Sequence, residues 1–184
     1  MSENCPCGSG LQYSLCCEPY LRGRAWPGTP EALMRSRYSA YVKQDLHYLI
    51  ASWHPSCNAQ NFAASLEESF ATTRWLGLRV ITTDVNAEQG QGYVTFFARL
   101  AENQLESFIH ERSRFLREEQ RWYYIDGTFP PTGRNDRCPC GSGKNIRNAV
   151  VSLDPDFPLY RQDHHRNASA NTATKSSTHH LPRC

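Results

Sequence analysis

Nowhere in its 184 residues does the chain hold an apolar run long enough to cross a bilayer, and no charged leader precedes an apolar stretch. A membrane span and a secretory signal are therefore not expected, and the protein is read as soluble and cytoplasmic, with no membrane partner. An excess of charge of one sign is missing too. The 20 Lys+Arg against 18 Asp+Glu leave a formal +2, too mild by itself to argue for nucleic acid or an anionic lipid surface. No helical pattern separates the strand-like segments of the second half, which excludes βαβ crossovers. What is present suffices for one compact core: 39% hydrophobic and 11% aromatic residues, a middle of about one ordinary domain.

The cysteines are unevenly placed. Cys-Pro-Cys-Gly-Ser-Gly occurs twice, at Cys5 to Gly10 and at Cys138 to Gly143. The first copy runs on to Cys16-Cys17, giving C-x-C-x8-C-C with Gly8, Ser9 and Gly10 between the pairs. Two thiols on a tight turn, facing two more at the end of the next segment, can close a tetrahedral thiolate shell of about 2.3 Å Zn–S bonds. Glycines let the backbone turn and aim amides at the sulfurs. Disulfides fit less well, because adjacent Cys16 and Cys17 cannot bridge each other without strain and nothing points to an oxidising compartment. A shell of four thiolates, Cys5, Cys7, Cys16 and Cys17, is closed and structural; zinc is the expected ion, and S4 ligation also suits iron.

These residues resemble the SEC-C motif, the small metal-binding module at the C-terminus of the SecA translocation ATPase. Its usual form is CPCGSGKKYKKCC, and Cys5, Cys7, Cys16, Cys17 and Tyr13 match it. In SecA the motif contacts an export chaperone and the ribosome, so the resemblance implies a protein partner linked to export or translation.

In the second copy Cys138 and Cys140 are in place, but Ala149 and Val150 stand where the second thiol pair should fall. Two thiols make half a shell, and this copy is expected to hold metal weakly or not at all. The codons that encode Lys144 to Val151 suggest why. Repeating the third base of codon 144 opens a frame that can spell CPCGSGKKYSKCCG, with its cysteines at positions 149 and 150, the spacing of the intact copy. Residues after Lys144 are accordingly read as a frameshifted tail. From Ser152 to Cys184 the tail has little apolar periodicity and no core is expected there. His164-His165 and His179-His180 lack a supporting fold and are not read as ligands.

The middle reads as helices first and strands after. Thr29-Pro30-Glu31 is a helix start, with an N-cap, a proline at N1 and an acid at the positive end. Leu33, Met34, Tyr38, Tyr41 and Val42 follow at helical spacing. A short helix is expected over Leu46 to Trp53, ending before Pro55, and a third around Phe62, Leu66 and Phe70. The period then changes to two. Leu76, Leu78, Val80 and Thr82 share one predicted strand face, Val94, Phe96, Ala98 and Leu100 another, and Phe108 to Leu116 and Arg121 to Ile125 supply two more strands. Short polar links favour antiparallel pairing. The prediction is an α+β cone: a curved antiparallel sheet closed by the preceding helices. The division is a metal motif over 1–22, the α+β domain over 28–132, the degenerate or frameshifted second motif over 133–151, and a tail over 152–184.

The segments Leu33-Met34-Arg35-Ser36-Arg37-Tyr38, Trp53-His54-Pro55, Trp75-Leu76-Gly77-Leu78, Glu111-Arg112-Ser113-Arg114-Phe115 and Trp122-Tyr123-Tyr124-Ile125-Asp126-Gly127 resemble the YchJ-type SEC-C proteins of bacteria. That resemblance spans 1 to about 143 and implies an NTF2-like fold for the middle; it implies no particular activity.

Three functional readings follow. The favoured one is a non-enzymatic interaction protein whose metal knuckle docks a partner, with Tyr13 and Leu15 beside the ligands as contact surface. The alternative is a small-molecule binder or enzyme using the cone interior, with His54, Glu111, Arg112 and Asp126 as pocket candidates. Alternation along the strand sets Glu111 apart from His110, Arg112 and Arg114, so these groups do not all line one cavity. Third, Arg35, Arg37, Arg112, Arg114, Arg117, Arg134 and Arg137 offer a weak case for contact with RNA or an acidic protein surface, with solvated faces and internal ion pairs the simpler use of these arginines.

Overall fold

A computed structural model describes residues 3–102, 105–133, 135–138 and 145. After a short helix α1 (Glu18–Leu21), three helices precede the sheet: α2 (Pro30–Lys43), α3 (Leu46–Ala51) and α4 (Ala63–Thr72). Four strands follow, β1 (Thr73–Asn86), β2 (Gln91–Glu102), β3 (Leu105–Glu118) and β4 (Arg121–Thr128), antiparallel in the order β1-β2-β3-β4. This is the α+β arrangement expected from the change of period. Among the described residues no helix is long and apolar enough to cross a membrane.

The long helix begins where its start signal lies. Thr29 Oγ1 accepts the Ala32 amide at 3.1 Å and Pro30 occupies the first helical position, where its missing N–H is not needed. Gln44 ends the helix in the left-handed region, φ 57°. Asp45 caps α3 through the Tyr48 amide. Leu33, Leu49, Val94 and Phe115 are fully enclosed between helices and sheet; burying a side chain of that size stabilises the fold by about 1.5–3 kcal/mol.

The strands are longer than their apolar patterns, and β1 departs from simple alternation. Its register with β2 shifts between Trp75 and Gly77 and again between Val80 and Thr82. Each bulge adds a residue and turns the following side chains to the other face. Trp75 therefore joins Leu78 and Val80 against the core, while Leu76 and Thr82 do not. The expected face of Leu76, Leu78, Val80 and Thr82 is corrected accordingly. On β2, Val94, Phe96 and Ala98 face the helices as expected, and Phe97 turns outward to stack on Phe108 at 4.9 Å, with Cys138 buried against the pair. The outer edge of β4 carries the segment Ser52 to His54: Tyr124 N donates to Ser52 O, and His54 N donates to Tyr124 O at 2.7 Å.

Candidate metal centre

The first knuckle is a small hairpin. Cys5 N donates to Leu11 O at 2.8 Å, Tyr13 N to Glu3 O at 2.9 Å, and Asn4 bridges Gln12. Gly8 and Gly10 take φ of 73° and 80°, which favour glycine. Gly8 has a second constraint: a Cβ there would lie 2.9 Å from Leu78 O, so the knuckle rests directly on β1. The thiols follow from this turn. One ligand atom from each of Cys5, Cys7, Cys16 and Cys17 lies within 4.8 Å of the others. Cys7 and Cys16 Sγ are 3.7 Å apart, and so are Cys16 and Cys17 Sγ. A regular tetrahedron with about 2.3 Å metal–sulfur bonds has edges of about 3.8 Å. The spacing of these sulfurs matches that shell.

Electrostatics inside the cluster point the same way. Hydrogen bonds, from Cys17 first and then Ser9 and Cys5, pull Cys7 down to about 4 against the opposing effect of burial. Cys17, which donates to it, is pushed up, and burial raises Cys16 to about 11. Four thiols this close cannot all ionise by themselves, and a soft divalent cation is the group that lets them. The four residues would hold zinc or iron as a closed shell, and what the ion would supply is cross-linking of the hairpin to the helix behind it.

That hairpin is packed into the domain. Cys5, Cys7 and Cys17 belong to the main core cluster. Arg35 Nη1 donates to Cys7 O at 2.9 Å while pairing with Glu31, and Cys5 Sγ lies 3.6 Å from Ser39 Oγ. Lys43 bonds Glu3 and lies over the Tyr13 ring. Tyr13, expected as contact surface, instead packs partly against the core; Leu15 and Leu11 are the exposed apolar residues, at 75% and 55%.

The second copy keeps part of the hairpin. Arg137 bridges Asn145 antiparallel, the same spacing as Asn4 and Gln12, and Cys138 is as buried as Cys5. Cys140, positions 149 and 150, and the tail lie outside the described residues.

Of the pocket candidates, only Glu111 reaches the cone interior. Its carboxylate accepts Ser113 Oγ at 2.7 Å and Tyr124 Oη at 3.4 Å, in a cavity shared with Arg37, Tyr38, Tyr41 and Trp75. Burial first, and then the Glu111 charge, keep the Tyr124 phenol protonated far above its usual range. About 30 Å³ there is open to the centres of water molecules, room for one or two waters. His54 sits at the end of the β3–β4 hairpin, 3.5 Å from Glu118. Arg112 faces outward over the Tyr93 ring, and Asp126 holds Arg114 with two hydrogen bonds. Alternation on β3 separates Glu111 from Arg112, and a bulge between Arg114 and Phe115 re-registers β4.

The arginines considered for RNA are largely used within the fold. Arg37 is buried, donates to Leu49 O and Ser52 Oγ, and lies 4.8 and 4.6 Å from the ring centroids of Trp53 and Tyr124, which contact each other edge to face. The sequence does not foretell this packing against two rings, since Arg37 reads there as a surface charge. Its spacing from Leu33 and Tyr41, both apolar at i±4, was the available signal.

Comparison with known proteins agrees with this architecture. Residues 29–127 match the family described as YchJ, middle NTF2-like domain, and residues 1–19 match the SEC-C motif. A UPF0225 protein of Serratia proteamaculans is 54% identical over 149 residues, 80% of this chain and 97% of the relative. The UPF0225 protein YchJ of Shigella dysenteriae is 54% identical over 147 residues, with the same shares. The solution structure of a SEC-C motif containing protein from Rhodopseudomonas palustris superposes with a TM-score of 0.65 at 34% identity, covering 70% of this chain and all of that one. A crystal structure of another from Psychrobacter arcticus gives 0.59 at 27%, covering 80% and 94%. With an antiparallel sheet under three helices and a four-cysteine knuckle at its N-terminus, the chain belongs to the YchJ family of SEC-C proteins with an NTF2-like middle domain.

Proposed function

We propose that this is a cytoplasmic, non-enzymatic interaction protein in which one zinc ion folds the N-terminal knuckle and the knuckle presents a docking surface to a protein partner. The observation that carries the reading is the set of four sulfurs, all within 4.8 Å of one another and joined to the core. A segment this short does not fold alone, and the metal supplies what its own core cannot. Held in this way, the knuckle turns Leu11 and Leu15 to solvent, an exposed apolar pair of the kind that partners cover. An export chaperone or a ribosomal site is the proposed partner, by likeness to the SEC-C motif of SecA.

The interior reading has less support. The cavity around Glu111 has room for water and little else, and His54, Arg112 and Asp126 lie elsewhere. Elemental analysis of anaerobically purified protein should find about one zinc per chain. Binding to ribosomes and to the export chaperone is then compared between the parent, Cys16→Ser and Leu15→Asp. Loss of binding in both variants, with metal retained in Leu15→Asp, is the expected result. A partner held equally by all three would end the docking role and leave the metal with a purely structural one.

A further inference from the structure

Two strand edges end this sheet, and they are treated differently. The outer edge of β4 is occupied by Ser52 to His54, whereas that of β1 pairs with no strand among the described residues. The knuckle reaches β1 near Leu78 and leaves the stretch beyond it open. From Arg79 to Asn86 every residue but Val80 is exposed, including Ile81 and Val85 at 40% and 51%. A long open edge with apolar side chains is a template for another strand.

Register decides which strand fits. Arg79, Thr82 and Asp84 stand opposite Phe97, Thr95 and Tyr93, and Val80 and Thr83 opposite Phe96 and Val94. The bulge sets Ile81 aside, so Arg79, Thr82 and Asp84 share the outer face and Val80 and Thr83 the inner one. We propose that the chain forms a twofold dimer in which β1 pairs antiparallel with the β1 of a second copy, centred on Thr82. Arg79 then faces the partner's Asp84, Val80 faces the partner's Thr83, and each contact occurs twice. An isologous interface needs such self-complementarity, and main-chain pairing of added strands supplies affinity. Bulges and charges also serve to keep edges apart. Here, however, the two charges have opposite signs at positions the twofold axis exchanges. Asp84 lies 3.9 Å from Arg112 of its own chain and, at 65% side-chain exposure, has room for a second arginine.

The test is sedimentation velocity on the full, metal-loaded chain from about 1 to 100 μM, a range that brackets an ordinary reversible dimer. The expected species has twice the 21.0 kDa chain mass. Arg79→Asp and Asp84→Arg each set like charges opposite one another twice per dimer and should weaken it at least about tenfold. The double variant Arg79→Asp/Asp84→Arg restores opposite signs and should recover the parent dimer. A parent that stays monomeric throughout overturns the proposal. So does a dimer that ignores both single changes, or a double variant as weak as the singles.

Discussion

Removing the metal should lower the stability of the whole domain, because the knuckle is part of the core. Cys5, Cys7 and Cys17 are buried in the same cluster as Leu33, Tyr38 and Leu49, and Arg35 ties Cys7 O to α2. Metal at about a thousandfold over its dissociation constant adds about 4 kcal/mol to the folded state. For a domain between the ranges of 60–100 and 150–250 residues, each kcal/mol corresponds to about 3–5 °C at the midpoint. Chelation should therefore lower Tm by about 12–20 °C.

The assay is thermal unfolding followed by far-UV circular dichroism, which reports the sheet, and by tryptophan fluorescence, with and without chelator. Both signals should move together. Arg35→Ala separates docking from ligation. It removes a charge-assisted hydrogen bond that is partly exposed, roughly 1–2 kcal/mol, so it should lower Tm of the loaded protein by more than that of the chelated one, where only the Glu31 pair is lost. A chelator that strips a full equivalent of metal and moves Tm by less than about 2 °C would refute the reasoning, since the knuckle would then be a pendant module.

Further outcomes follow from single positions. A Cβ at Gly127 would collide with the Glu111 carboxylate, so Gly127→Ala should cost about 1–3 kcal/mol by overpacking in a urea titration. Glu119 and Gln120 hold positive φ, 44° and 70°, in the β3–β4 turn; Gln120→Gly should raise the melting midpoint, by about 0.5–1 kcal/mol of relieved backbone strain. Burial lowers the pKa of His110, whose Nδ1 meets no hydrogen-bond partner among the described residues. The unfolded chain then binds the extra proton first, so stability should fall as pH drops below about 6.5, and His110→Gln should flatten that slope in pH-dependent melts. Codons 143–152 of the gene should spell Tyr and Cys-Cys in the shifted frame; codons that cannot do so would show an ordinary divergent tail.

Helix starts, strand period and the thiol set were legible because each is local. Thr29 and Pro30 mark α2 whatever packs on it, and the spacing C-x-C-x8-C-C is enough to bring four thiols together. Bulges were not legible. Nothing in Trp75 to Thr82 announces that two residues drop out of register, yet this decides that Trp75 meets Tyr38 and Tyr41. The fate of the arginines was hidden for the same reason. A guanidinium looks solvated in sequence, and only the tertiary fold brings two aromatic rings and the Leu49 carbonyl to Arg37.

The two copies of the hexapeptide separate what the motif does with its backbone from what it does with its thiols. Both place an antiparallel bridge at the same offset, Asn4 to Gln12 and Arg137 to Asn145, and both bury their leading cysteine. That bridge thus does not depend on the distal thiol pair, since the second copy has Ala149 and Val150 there. Their surroundings differ. Cys5 sits against Ser39 in the main core, while Cys138 sits against Phe97 and Phe108 on the other face of the sheet. An apolar floor accepts a neutral thiol without cost but disfavours a thiolate. Cys138 can therefore pack as a small hydrophobe against the outer aromatic pair. The first knuckle differs: its four thiols lie within 4.8 Å of one another, a set that could enclose a soft cation.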